Sequence, residues 1–146
     1  HIWDLRVQNR TLRSFEFWTD SIGGCSCLAA HGWVLASGTS SGWVQTWDMR
    51  RLSSTESDLA RLWIHTKHTN MVTGLSLDGD EMISCSLDGS VKISNTFTGR
   101  QIGALPEAHP QGVTSMAVTE TRLYTAGLSG DPSGWVGWMG KVWCFK

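Results

Sequence analysis

The chain has 146 residues, and its 12 Lys and Arg nearly balance 13 Asp and Glu, so the formal net charge is −1. This balance argues against nucleic-acid binding, which depends on a clustered basic surface. The sequence also lacks the run of about 18 apolar residues that a membrane span needs and has no signal-peptide pattern. These patterns predict neither a nucleic-acid partner nor a membrane span.

The four cysteines show neither C-x-x-C pairs nor the Cys–His spacing of a zinc site. They are Cys25, Cys27, Cys85 and Cys144. Isolated cysteines usually behave as small apolar side chains, so we expect buried free thiols and no metal. Free thiols persist in reducing compartments, which predicts an intracellular protein of the cytoplasm or the nucleus.

The first elements in chain order are short strands that lead into a β-hairpin. Residues 1–6 read as the end of one strand and residues 13–17 as an outer strand. A strand over residues 25–30 then leads through a tight turn into the hairpin of residues 33–50. Its turn is small and polar and ends in Gly42, which can adopt a positive φ. The rest of the chain repeats this unit.

Two further copies of the hairpin follow. The copy at residues 82–95 aligns without gaps and places Gly89 where the first copy has Gly42. The third copy begins at Leu123, and its turn is expanded before the strand of residues 141–145. Self-similarity of this kind indicates a repeat architecture.

Two columns of residues give the repeat its period. When the copies are aligned, one position near the end of the second hairpin strand forms the first column. It is occupied by Trp3, Trp47, Ser94 and Phe145. The steps are 44, 47 and 51 residues, against ~40–45 for a repeat with four short strands. In the second column, His68 lies sixteen positions before Ser84 and His109 lies sixteen before Thr125; the same offset from Ser37 leads to Ser21.

These columns resemble the WD-repeat β-propeller family over essentially the whole chain. The resemblance implies an all-β fold, a partial propeller of four-stranded antiparallel blades lettered a to d from the central channel outward. The blocks are then 1–6 (the end of one blade), 13–48, 61–95 and 100–146. A closed ring needs at least about four blades, so we expect missing N-terminal blades in a longer protein. Alone, the piece is expected to be unstable or oligomeric, because its sheet edges are unpaired.

The resemblance also implies a structural hydrogen-bond network of His, Ser or Thr, Asp and Trp in each blade. Its members here are His68, Ser84, Asp88, Ser37, Trp47, His109 and Thr125. No copy has the full set, because Ser21, Ser41, Ser94 and Phe145 stand where the family has other residues. We therefore expect apolar packing to hold the blades more than polar bonds do.

The last b–c turn allows two registers. Residues 134–139 form strand c and 141–145 strand d, or residues 134–139 form a loop and 141–145 form strand c. We prefer the second, because propellers of this family commonly end in strand c. Trp135, Trp138 and Met139 then lie in a Gly-rich loop as candidate partner-binding residues. The alternative is that this loop folds over the channel or the neighbouring blade.

Two W-D-x-R motifs end in Arg6 and Arg50. They resemble the docking signature of substrate receptors of cullin-RING ubiquitin ligases, in which the arginine meets the damaged-DNA-binding adaptor. The alternative is that both arginines pair with local acids or water. The Asp that usually accompanies this signature in the b–c turn is replaced by Ser40 and Ser41.

The Ser-rich connection after the first hairpin offers Ser53 and Thr55 as candidate phosphorylation sites, since an acid follows each by three residues. The alternative is a plain solvated loop.

No catalytic constellation is present: the sequence has no G-x-S-x-G elbow, no phosphate loop and no carboxylates paired for acid–base work. We therefore predict no enzymatic activity and no cofactor. The resemblance implies a protein-interaction scaffold with other proteins as its partners, in the C-terminal propeller of a larger multidomain protein. The alternatives are the ligase receptor described above and an accessory propeller of a large trafficking or signalling protein with an enzymatic domain upstream.

Overall fold

The regular structure of the described residues is β-strand. The computed structural model describes residues 2–3, 11–13, 23–51, 61–64, 68–130 and 136–144, with side chains over 23–51, 61–64 and 68–127. The strands are β1 Ile2–Trp3, β2 Thr11–Arg13, β3 Cys25–His31, β4 Val34–Thr39, β5 Val44–Asp48, β6 Arg61–Ile64, β7 Val72–Asp78, β8 Glu81–Ser86, β9 Val91–Asn95, β10 Gln101–Leu105, β11 Val113–Val118, β12 Arg122–Gly130 and β13 Val136–Cys144.

These strands form sheets in which neighbours along the chain pair antiparallel. The first blade is β3-β4-β5-β6, the second is β7-β8-β9-β10, and the third has β11-β12-β13 among the described residues. A two-stranded sheet, β1-β2, precedes them. The expected fold, a partial propeller of four-stranded antiparallel blades, is confirmed.

Each sheet is out of phase with the sequence repeat. Strand β6 opens the 61–95 block, yet it pairs with β5 of the preceding hairpin, with Trp47 opposite Arg61. One repeat thus supplies the outer strand of the blade before it. Because β6 belongs to the first blade and β7 to the second, one continuous repeat connects the two blades.

The inner strands of neighbouring blades lie side by side and are joined by side-chain hydrogen bonds. Ser26 Oγ donates to the carbonyl oxygen of Val72 at 2.6 Å, and Thr73 Oγ1 donates to that of Val113 at 2.6 Å. The core lies between blade faces in two clusters. The first contains Ala36, Val44, Val72 and Met82, and the second contains Ile83, Cys85, Val91, Ala108, Val113 and Leu123.

The register corrects one residue of the Trp column. Leu35 lies opposite Trp47 and Met82 lies opposite Ser94. In the third blade the equivalent pair is Leu123 and Trp143. Trp143, rather than Phe145, therefore occupies this column. The sequence count misses it because the extra residues of the third hairpin are divided between its two strands.

The loop expected over residues 134–139 is wrong for 136–139, which continue the strand of 141–144. β12 and β13 are nine residues each and pair without a break, with Leu128 opposite Trp138 and Gly127 opposite Met139. Extending both strands adds backbone hydrogen bonds to the ladder, which a loop of the same length would not. Trp135 and Phe145 lie outside the described residues.

The cysteines differ in burial. Cys85 is buried, Cys27 is half-buried, and Cys25 is exposed, so the expected burial of Cys25 is wrong. Cys25 lies on the inner strand β3, whose side chains are mostly exposed. Burial raises the pKa of Cys85 to about 11, which keeps this thiol protonated.

Candidate interaction surface

His68 is the centre of a buried hydrogen-bond network in the second blade. Its Nε2 lies 2.9 Å from Ser84 Oγ and its Nδ1 lies 3.0 Å from Asp88 Oδ2. Asp88 also accepts bonds from the backbone N–H of Thr69 and from both donors of Ser90. The His68 side chain is 0% exposed. The network thus joins the d–a loop, strand b and the b–c turn of one blade, and no substrate can reach the imidazole.

The electrostatics of this network keep Asp88 charged. Desolvation by burial raises its pKa, but the hydrogen bonds from Ser90 and Thr69 outweigh this and lower the pKa to about 2. Burial lowers the pKa of His68, and the negative charge of Asp88 opposes this only in part. A neutral imidazole can donate from Nδ1 to Asp88 and accept at Nε2 from Ser84. These bonds hold the blade together, so the role of His68 is structural.

The first and third blades carry partial versions of the network. In the first blade, Trp47 Nε1 donates to Ser37 Oγ at 3.2 Å inside the blade. Thr39 Oγ1 accepts the backbone N–H of Trp43 at 3.0 Å and so closes the b–c turn without the family's Asp. In the third blade, His109 Nε2 lies 3.1 Å from Thr125 Oγ1.

Arg50 is held in place by the Asp48 of its own motif. Its Nε donates to Asp48 Oδ1 at 3.0 Å and its Nη2 donates to Asp48 Oδ2 at 2.9 Å. These hydrogen bonds hold the pKa of Asp48 below its usual value. The guanidinium carbon also lies 3.8 Å from the ring centroid of Trp33, a cation–π geometry. Arg50 thus pairs with a local acid, the alternative given above, while its side chain remains 62% exposed.

Three aromatic side chains, of which Trp33 contacts Arg50, lie at the junction of the first and second blades. The Trp33 and Phe97 ring centroids are 5.5 Å apart. Trp63 packs on Gly99, where a Cβ would overlap the indole. The exposed fractions are 36% for Trp33, 36% for Phe97 and 47% for Trp63. We call Trp33, Arg50, Trp63 and Phe97 the aromatic–arginine surface; it lies on the face of the a–b and c–d turns.

Sequence reasoning found Arg50 but missed the aromatic surface to which it belongs. The signal was available, because Phe97 stands three residues after Ser94 as Arg50 stands three after Trp47. Both residues of this column contact Trp33 from different blades, which the alignment of repeats does not reveal.

Other candidate residues are placed as follows. Arg6, Ser53, Thr55 and Trp135 lie outside the described residues, and Trp138 and Met139 belong to β13. Over the described part of the chain, no group of three or more His, Cys, Asp or Glu could hold a metal ion. Within the same ranges, no helix has the length and apolar character that a membrane crossing requires.

Comparison with known proteins shows the fold. No family model matches the chain. The computationally designed Ika8 protein superposes with a TM-score of 0.66 at 23% identity, over 82% of this chain and 33% of that one. The Cps50 (Swd1) β-propeller domain of Myceliophteria thermophila gives 0.61 at 17% identity, over 92% and 41%. A chain of the Mitotic Checkpoint Complex gives 0.62 at 22% identity, over 77% and 36%. The fold is that of a partial β-propeller.

Two curated proteins align with a stretch of 115 residues. Telomerase protein component 1 of Rattus norvegicus is 29% identical there, and its counterpart of the same name in Mus musculus is 28% identical. Each alignment covers 76% of this chain and 4% of the relative. The matched region is thus a small part of a much longer protein.

Proposed function

We propose that this chain is a non-catalytic, intracellular protein-interaction scaffold within a larger propeller protein of the cytoplasm or nucleus. We further propose that it docks a partner through the aromatic–arginine surface. The observation that carries this proposal is Arg50, which is fixed by Asp48 and Trp33 and is still 62% exposed.

The chemistry of this surface suits protein binding. Trp and Arg are enriched among the residues that contribute most to interface energy. A guanidinium has five N–H donors on three nitrogens. Asp48 accepts from two of these nitrogens, Nε and Nη2. Asp48 and Trp33 already hold the Arg50 side chain. Because of this, Arg50 loses little further rotamer freedom when a partner binds. The surface is therefore preorganised for an acidic or carbonyl-rich partner segment.

The test is affinity capture from cell extract with the full-length protein, read by quantitative mass spectrometry. Arg50→Ala is expected to lose a defined set of captured proteins at least tenfold, and Arg50→Lys to recover them only partly because it lacks the planar fork. Arg122→Ala, an exposed arginine on the third blade and away from this surface, is the matched control. Capture profiles that do not differ between wild type and Arg50→Ala would contradict docking at this surface.

The ligase-receptor function is a second candidate, because the arginine of a W-D-x-R motif is presented on the face of the c–d turns. It predicts that the damaged-DNA-binding adaptor co-precipitates with the full-length protein and is lost in Arg50→Ala. Adaptor binding that survives this substitution would rule the candidate out and leave the general scaffold in place.

The role of accessory propeller in a large trafficking or signalling protein is a third candidate. It is supported by the curated relatives, of which the matched region is 4%. The intact mass of the natural protein tests it: a chain longer by several blades and a further domain supports this role, and a chain near 16.1 kDa contradicts it.

A further inference from the structure

A groove of about 330 Å³ lies between the second and third blades, on the face of the a–b turns. Its apolar floor is formed by Ile83, Ile93, Ile102 and Val118. We call it the isoleucine groove. It is separate from the aromatic–arginine surface, which lies at the preceding junction.

The floor follows from the register of the second blade. Ile83 and Ile93 are cross-strand partners, and Ile102 precedes Gly103, which lies opposite Ile93. Their exposure rises outward: Ile83 is buried, Ile93 is half-buried and Ile102 is 56% exposed. The groove thus leads from the packed core to an open apolar edge.

The junction of the first and second blades contains a side-chain hydrogen bond that has no counterpart from Ile93 at the junction of the second and third blades. There, Thr46 Oγ1 donates to the carbonyl oxygen of Thr96 at 3.2 Å and joins the first blade to the second. Thr46 and Ile93 occupy equivalent positions in their blades. Thr46 directly precedes Trp47, and Ile93 directly precedes Ser94, the residue that aligns with Trp47. An isoleucine has no donor for such a bond. The two junctions therefore differ at this place, with a hydroxyl bonded across the first and an aliphatic side chain lining the groove at the second.

Three carboxylates stand at the mouth of the groove. Asp78, Glu81 and Glu120 line it, and none of its lining residues is basic. Asp78 lies directly opposite Glu81 in the β7–β8 ladder. Like charges in that position destabilise a sheet, and within the described ranges no ion pair to either side chain is present. A bound cation would relieve this repulsion.

We propose that the isoleucine groove docks a basic–apolar segment of a partner protein, with an aliphatic side chain on the isoleucine floor and a Lys or Arg beside Asp78, Glu81 and Glu120. The volume is at the low end of the ~300–1,000 Å³ typical of binding pockets, so it suits one or two side chains of a peptide. This site is independent of docking at Arg50.

The test uses fluorescence anisotropy with the full-length protein and three labelled dodecapeptides in one Gly-Ser background. They carry Arg-Ala-Leu, Glu-Ala-Leu and Arg-Ala-Ser. The first is expected to bind at least tenfold more tightly than the other two, and its affinity is expected to fall with added salt. Equal binding of all three, or no binding of the first at millimolar peptide, would overturn the proposal.

Two variants locate the site. Ile93→Thr introduces the residue that the first blade tolerates at this place, and it is expected to weaken the Arg-Ala-Leu peptide at least tenfold; Ile64→Thr, at an exposed position of the first blade, is the control. Glu81→Gln is expected to weaken binding severalfold and to reduce its salt dependence. Unchanged affinity in both Ile93→Thr and Glu81→Gln contradicts the site.

Self-association is the competing occupant. If sedimentation velocity shows a dimer that Ile93→Thr dissociates, the groove binds a second copy and the proposal is wrong. Because Arg50→Ala leaves the groove intact, loss of peptide binding and loss of partners at Arg50 remain separable.

Discussion

The backbone N–H of His68 donates to the carbonyl oxygen of Gly42 at 2.9 Å, and this bond joins the d–a loop of the second blade to the b–c turn of the first. The next junction repeats it, with His109 donating to Gly89 at 3.2 Å. Both glycines have a positive φ, +90° and +84°. At each, a Cβ would overlap the carbonyl oxygen of the same histidine. The glycine is thus required both by the turn and by the blade junction.

Substitution of this glycine is expected to destabilise the protein by more than a turn alone explains. At Gly32, which has a φ of +57°, a Cβ would point into open space, so Gly32→Ala reports the backbone cost by itself, about 1–2 kcal/mol. Gly42→Ala adds the overlap with His68 and should cost clearly more. Urea unfolding followed by Trp fluorescence measures both. Equal losses would show that the blades adjust freely at this junction.

Acid is expected to destabilise the second blade through Asp88 and His68. The pKa of Asp88 is about 2 in the folded protein, against 3.8 for an unperturbed aspartate, so its contribution is present above about pH 4 and is lost as the pH falls toward 2. The folded pKa of His68 is also lowered, so unfolded chains take up its proton first and stability begins to fall below about pH 6.5.

Urea unfolding between pH 7 and pH 3 tests this dependence. Asp88→Asn is expected to be less stable at pH 7 and to lose less stability below pH 4, because the titrating carboxylate is gone. A variant with the same pH profile as wild type would show that Asp88 does not carry the acid sensitivity.

The Ser37–Trp47 bond is expected to show coupling in a double-mutant cycle. Ser37→Ala removes the acceptor 3.2 Å from the buried indole N–H, and an unsatisfied donor costs about 1–3 kcal/mol. Trp47→Phe removes the donor, so the double variant should lose less than the sum. Thr114→Ala, in the third blade, is the reference partner and should be additive with Trp47→Phe. Additivity of both pairs would contradict a stabilising bond.

Alkylation is expected to distinguish the thiols. Cys85 is buried with a pKa of about 11, whereas Cys25 is exposed. Since the thiolate is the reactive form, iodoacetamide should label Cys25 well before Cys85, and urea should remove the difference. Mass spectrometry of peptides after timed labelling gives the rates. Early labelling of Cys85 in the native protein would contradict the packing of the second cluster.

The sequence predicted the repeats, the glycine turns and the spacing of His68 from Ser84, and it failed where the third hairpin departs from the pattern. Its count placed Phe145 in the Trp column, whereas pairing from Leu123 places Trp143 there. A one-dimensional alignment assigns an insertion to the turn. In the sheet, residues 136–139 gain backbone partners by lengthening both strands.

The sequence by itself determined the features that depend on neighbours along the chain. These are the positions of most strands, the turns at Gly42 and Gly89, and the fixed separation of network residues within one repeat. The tertiary structure alone decided what lies between blades. Phe97 of the second blade contacts Trp33 of the first, and Val118 of the third blade forms a groove with Ile83 and Ile93 of the second, because one sheet face packs on the next. No local pattern encodes which faces will meet.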